Sequence, residues 1–172
     1  MLKLIGALIV LVSGTLVGFQ AAKMYSMRPK EIRRLIVGLQ LLETEICYGA
    51  TPLSIALKHI SVRIGDRVGE IFLHAGQFLQ EYDGLPTADC WEMALEKTWK
   101  NTMLKPPEKE ILIHLGRVLG KSDRQDQQKH IRLAVMNLTS EEEEARSEQQ
   151  KYEKMCKSLG FLGGLLAVIL IY

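Results

Sequence analysis

From Leu4 to Ala22 the chain reads LIGALIVLVSGTLVGFQAA, nineteen residues without an ionisable side chain. A second uncharged run, LGFLGGLLAVILIY, occupies Leu159 to Tyr172. An ionised side chain at the bilayer centre costs about 3 kcal/mol on insertion scales, so uncharged runs of this length are rarely accidental. Charged sequence fills the interval between them. The arrangement predicts a domain tethered to one face of a membrane by both ends.

The two runs differ in strength. The first is close to the roughly 20 residues a helix needs to cross a ~30 Å hydrocarbon core. A cleavage after Ala22 would leave Gln20 at the third position back, and one after Ala21 would leave Phe19. Neither is small, so the run reads as a retained span and not as a signal peptide. The second run reaches only about 21 Å as a helix. It is apolar on every side, and Lys154 and Lys157 can snorkel to the headgroups to extend its reach. Lys23, Arg28, Lys30, Arg33 and Arg34 follow the first run, and Lys151, Lys154 and Lys157 precede the second. This basic bias predicts that residues 23–157 face the cytoplasm. Each run also carries a Gly-x-x-x-Gly pair, Gly14 with Gly18 and Gly160 with Gly164. That spacing puts both glycines on one helix face and permits close helix packing, between the two spans or between copies of the chain.

The middle of the chain is punctuated as helices. Pro29 can open one, with Ile32, Leu35, Ile36, Leu39, Leu42 and Ile46 at helical spacing and Gly49 at its end. Thr51 and Pro52 open a second, striped by Leu53, Ala56, Leu57 and Ile60 and broken at Gly65-Asp66. A third carries Val68, Ile71, Phe72, Ala75, Phe78 and Leu79 and stops at Asp83-Gly84. Thr87 starts a fourth, with Trp91, Ala94, Leu95 and Trp99 on one face. After Pro106-Pro107 a fifth presents Ile111, Leu112, Leu115, Val118 and Leu119, ending at Gly120. From Asp123 to Gly160 there is neither Pro nor Gly, which predicts one long helix feeding the second apolar run. Its first part is apolar through Ile131, Leu133, Ala134, Val135 and Leu138, and from Ser140 it becomes a polar stalk, SEEEEARSEQQKYEK. That stalk reads as a solvated helix with pairs such as Glu142 with Arg146 and Glu153 with Lys157. No window alternates as a strand. The expected fold is all-α: a helical bundle over 26–139, a stalk over 140–157, and transmembrane helices over 1–25 and 158–172.

Chemistry is sparse. The net charge of +2 gives no nucleic-acid or acidic-substrate signal. Three cysteines, Cys47, Cys90 and Cys156, at unrelated spacings suit a reducing compartment. The four histidines, His59, His74, His114 and His130, lack metal-ligand spacing. Gly120-Lys121-Ser122 ends like a phosphate-binding loop, but Leu115 stands where its leading glycine belongs and a helix precedes it. Trp91 and Trp99 read as core. We therefore expect no catalytic residue, cofactor or metal. Arg117, Lys121 and Asp123, at an exposed helix end, are the candidate partner-binding residues. A membrane-tethered signalling or scaffold protein unrelated to secretion is the alternative.

Several stretches together resemble the stage III sporulation protein AB family of endospore-forming bacteria. They are MLKLIGA at the start, Arg28-Pro29, Tyr48 to Leu53, Leu115 to Gly120, Asp123, Gln128 to Ile131, Tyr152 to Met155 and Lys157 to Gly164. Ile111 to Asp123 is also similar to the helical domain of type II secretion F proteins, although Gly116 is followed by Arg117 where that family has glutamate. The resemblance implies a bundle in the mother cell, anchored in the outer forespore membrane. It further implies a platform role in the channel complex joining mother cell and forespore. The expected partners are an ATPase similar to stage III sporulation protein AA, other membrane subunits of the channel and the lipid bilayer.

Overall fold

Alternating apolar and polar positions at helical spacing produce helices throughout. The structure, a computed structural model, describes the backbone of residues 2–171 except Ala50, Asp83 and Ser122. Side chains are described over 25–152 with those exceptions, and at Leu16, Met155, Ser158 and Leu162. Among the described residues there are six α-helices and no strand: α1 (Leu2–Tyr48), α2 (Leu53–Ile64), α3 (Asp66–Glu81), α4 (Thr87–Trp99), α5 (Pro106–Gly116) and α6 (Arg124–Ile171). The all-α bundle is as expected.

The chain divides into two compact units, Lys30–Glu142 and Met1–Pro29 with Glu143–Tyr172. In the first, α2 to α5 pack neighbour on neighbour. Ile32, Leu35, Leu39 and Leu42 of α1 are fully buried, as are Leu57 of α2, Ile71 and Phe72 of α3, Trp91 and Leu95 of α4, Leu112 of α5 and Ile131 and Leu138 of α6. Burying each such side chain contributes about 1.5–3 kcal/mol, which makes this shared core the main source of the unit's stability. Phe72 and Trp91 meet edge to face, with ring centroids 5.9 Å apart.

Three polar clamps hold the elements of this unit. Glu31 of α1 is 1% exposed and accepts a 2.6 Å hydrogen bond from the Met103 backbone N–H in the α4–α5 connection. Burial pushes its carboxyl above the ordinary value, against the pull of that N–H and of Arg67 and Arg34. Glu43 of α1 accepts from Gln128 at 2.9 Å and from Arg132 at 2.7 Å, both on α6. Burial raises Glu43, but those two hydrogen bonds and the Arg132 charge outweigh it and leave its carboxyl below the ordinary value. Arg34 of α1 pairs with Asp66 at the start of α3.

In the other unit, Tyr25 of α1 stacks on Tyr152 of α6 with centroids 5.3 Å apart. Arg28, 4% exposed, donates to Glu148 at 2.9 Å. Moving from Tyr25 to Arg28 along α1 moves the partner from Tyr152 back to Glu148 along α6, so the two segments run antiparallel.

Four expectations change. First, Pro29 does not open a helix but lies inside α1. Proline's fixed φ is compatible with a helix, and its ring removes only the bond to the carbonyl four residues back. Second, the polar stretch after Ser140 is not simply solvated. Ala145 is 1% exposed, and Glu148 reaches across to Arg28. Third, Thr51 does not cap α2. Its hydroxyl donates to Glu45 at 2.8 Å, and Pro52 takes the cap position without a side-chain bond. Fourth, α5 ends at Gly116, and Arg117 to Lys121 form turns. Among the described residues no helix is long and apolar enough to cross a membrane. The expected flanking transmembrane helices are thus not part of the described fold. The uncharged runs and the pairs Gly14/Gly18 and Gly160/Gly164 lie outside the described side chains.

Candidate interaction groove

The turn from Arg117 to Asp123 joins α5 to α6 and returns the chain alongside α5. Two glycines shape this corner. A Cβ at Gly116 would run into the Trp91 indole, whose Nε1 donates 2.8 Å to the Leu112 carbonyl. Gly120 has φ of 78°, and a Cβ there would come within 2.6 Å of the Thr87 hydroxyl. The Leu115 to Gly120 motif is therefore a packing device. Its glycines let α4 approach the end of α5, and the Trp91 hydrogen bond ties the two together.

Three candidate residues from the sequence meet different fates at this corner. Asp123 is used structurally: its Oδ1 accepts 2.8 Å from the Asp126 N–H and caps α6. Its exposed position does not leave its carboxylate idle, which corrects its reading as a docking group. Lys121 is exposed in the turn, its backbone N–H bonded 3.3 Å to the Val118 carbonyl. Arg117, exposed at the end of α5, lines the rim of a groove of ≈ 680 Å³ between α5 and α6.

The groove has an apolar floor and charged ends. Ile111, Val118, Leu133 and Ala134 line it. Because the chain reverses between α5 and α6, Arg117 and His130 fall at the turn end, and Glu110 and Glu141 at the other. Leu133 is 47% exposed. The sequence reading placed it in the core stripe of α6, but the buried positions are Ile131, Ala134, Leu138 and Ala145. Leu133 lies one residue off that stripe, and this offset was the available signal for a second apolar face. Among the described residues Arg117 and Glu110 make no ion pair, and the His130 contact to Asp126 is 3.6 Å.

Reactive chemistry is limited. Among the described residues no group of three or more His, Cys, Asp or Glu is placed to hold a metal ion. Burial pushes the Cys90 thiol up, away from the thiolate that nucleophilic chemistry needs. Its neighbour Asp89 adds to that rise.

This is an all-α bundle carrying a surface groove, the class of protein that works by binding other chains. More particularly, the chain belongs to the stage III sporulation protein AB family, whose model matches residues 3–172. It is 45% identical over 172 residues to stage III sporulation protein AB of Bacillus subtilis (strain 168), covering 99% of each chain. A solved structure of stage III sporulation protein AB matches with a TM-score of 0.69 and 38% identity, covering 73% of this chain and 98% of that one. A role in sporulation follows.

Proposed function

We propose that the chain is a non-enzymatic, membrane-anchored platform subunit of the channel complex between mother cell and forespore. It connects a cytoplasmic ATPase, similar to stage III sporulation protein AA, to membrane components of the channel. The observation that carries this reading is the family match along essentially the whole chain. The two uncharged runs support anchoring in the outer forespore membrane, and their basic flanks support a cytoplasmic bundle. The likeness of Ile111 to Asp123 to type II secretion F proteins supports the platform role.

The glycine pairs fit an antiparallel packing of the two anchors. Seven residues back from Tyr25 is Gly18, and eight residues on from Tyr152 is Gly160. Four further residues in each direction reach Gly14 and Gly164. If the antiparallel pairing of α1 and α6 continues, both pairs meet at matching depth, where small residues permit close contact.

Anchoring and sidedness are tested together in a sporulating host. Single-cysteine variants at Cys47 and Cys156 are exposed to a membrane-impermeant maleimide in intact mother cells, with detergent-denatured protein as control. The proposal expects protein in the membrane fraction and labelling only after permeabilisation. Labelling of intact cells, or release of the protein by a carbonate wash, contradicts it. A deletion strain is expected to stall in sporulation and to recover with the full chain.

A further inference from the structure

The groove between α5 and α6 has a counterpart on the same molecule. The exposed side of α4 presents Met93, 37% exposed, next to Leu85, 44% exposed. Asp89 and Glu92 are exposed beside Met93, and Lys97 follows one turn later with its Nζ 5.3 Å from the Phe78 ring centroid. This ridge therefore reads acidic, apolar, basic along α4. The groove reads in complementary order, with Arg117 and His130 at one end, Leu133 and Val118 on the floor and Glu110 at the other end. Asp89 and Lys97 are eight residues apart and Arg117 and Glu110 seven, about 10–12 Å along each helix.

We infer that the α5–α6 groove of one molecule receives the α4 ridge of a second copy of this chain. Asp89 then faces Arg117, Met93 and Leu85 lie on the Leu133 floor, and Lys97 faces Glu110. No other described helix offers this order: α2, with exposed Ile55 and Val62, contains no acidic residue to meet Arg117. A small-molecule site fits poorly, because such sites converge their polar groups on one ligand, whereas here they stand two helical turns apart. Groove and ridge are different surfaces, so the contact is heterologous and builds rings or open chains of copies. This inference goes beyond the platform reading and does not depend on the ATPase.

The test uses the full chain in detergent micelles, followed by sedimentation over a concentration series. The wild type is expected to associate beyond the monomer. Arg117→Glu and Asp89→Arg are each expected to weaken association about tenfold, and mixing the two single variants is not expected to help. The double variant, which restores the opposite charges across the contact, is expected to recover most of the loss. Leu133→Asp alters a half-exposed side chain, and its helical content by circular dichroism confirms the fold while association falls. A chain that stays monomeric at about 100 µM overturns the inference. So does association indifferent to all four variants, which would assign it to the terminal segments. A pair of single reversals that the double variant fails to rescue also overturns it, and assigns the groove to another protein's helix.

Discussion

Glu31 is the residue whose position the sequence least foretold. It falls in a run of charges after Pro29, yet it is buried, and its Oε2 receives the Met103 N–H. Nothing in α1 alone shows this, because the partner lies 72 residues on. Glu31→Ala leaves that N–H without its acceptor and is expected to cost about 1–3 kcal/mol in chemical unfolding. Glu31→Gln keeps an acceptor. The raised native carboxyl means the folded chain holds this proton more tightly than the unfolded chain. The stabilisation is complete below the ordinary value of 4.5 and fades as pH rises through the native value. At neutral pH Glu31→Gln should therefore match or exceed the wild type in stability, and the advantage should shrink toward pH 4.5. A loss as large as that of alanine would show that the charge itself is required. Gly116 belongs to the same scale. Gly116→Ala puts a methyl group into the Trp91 ring and should lower stability by about 1–3 kcal/mol, with a shift in tryptophan emission. Unchanged emission and stability would mean that α4 and α5 can separate freely.

Helix identity was legible wherever apolar residues recur at helical spacing, and boundaries were not. The stripes of α1, α3 and α4 were read almost residue for residue, because burial there follows one face. Pro29 and Gly120 misled the reading of helix ends. Proline tolerates a helix that has other reasons to continue, and Gly120 serves a turn four residues beyond the last helical residue of α5. Of the candidate site, Arg117 was legible from its exposed helix end. The groove it lines was not, since a groove depends on how α5 and α6 pair. Pro29 also sits where the two compact units divide. Its ring leaves the Tyr25 carbonyl without its helical N–H donor. Pro29→Ala is expected to slow amide exchange over residues 26–33 and to raise the thermal midpoint. Faster exchange there would show that the proline supports the helix instead of interrupting it.

At the scale of the whole molecule, the sequence combines a helical bundle, two long helices and uncharged runs at both ends, and the family match places that combination in sporulation. The structure adds a division of labour. Core residues of six helices maintain the bundle, while Arg117, Leu133, Asp89 and Met93 occupy its surface without serving that core. A platform needs such surfaces, because its work is to hold partners in place. The central claim is a physical link between this chain and the ATPase, and the most direct measurement is their binding. The full chain, reconstituted in nanodiscs, is titrated with the purified ATPase and the complex is followed by light scattering. The account predicts saturable binding in the micromolar range or tighter, about −8 kcal/mol or stronger, whether or not copies of the chain associate. Absence of binding at about 100 µM, with a deletion strain that still sporulates, would contradict it.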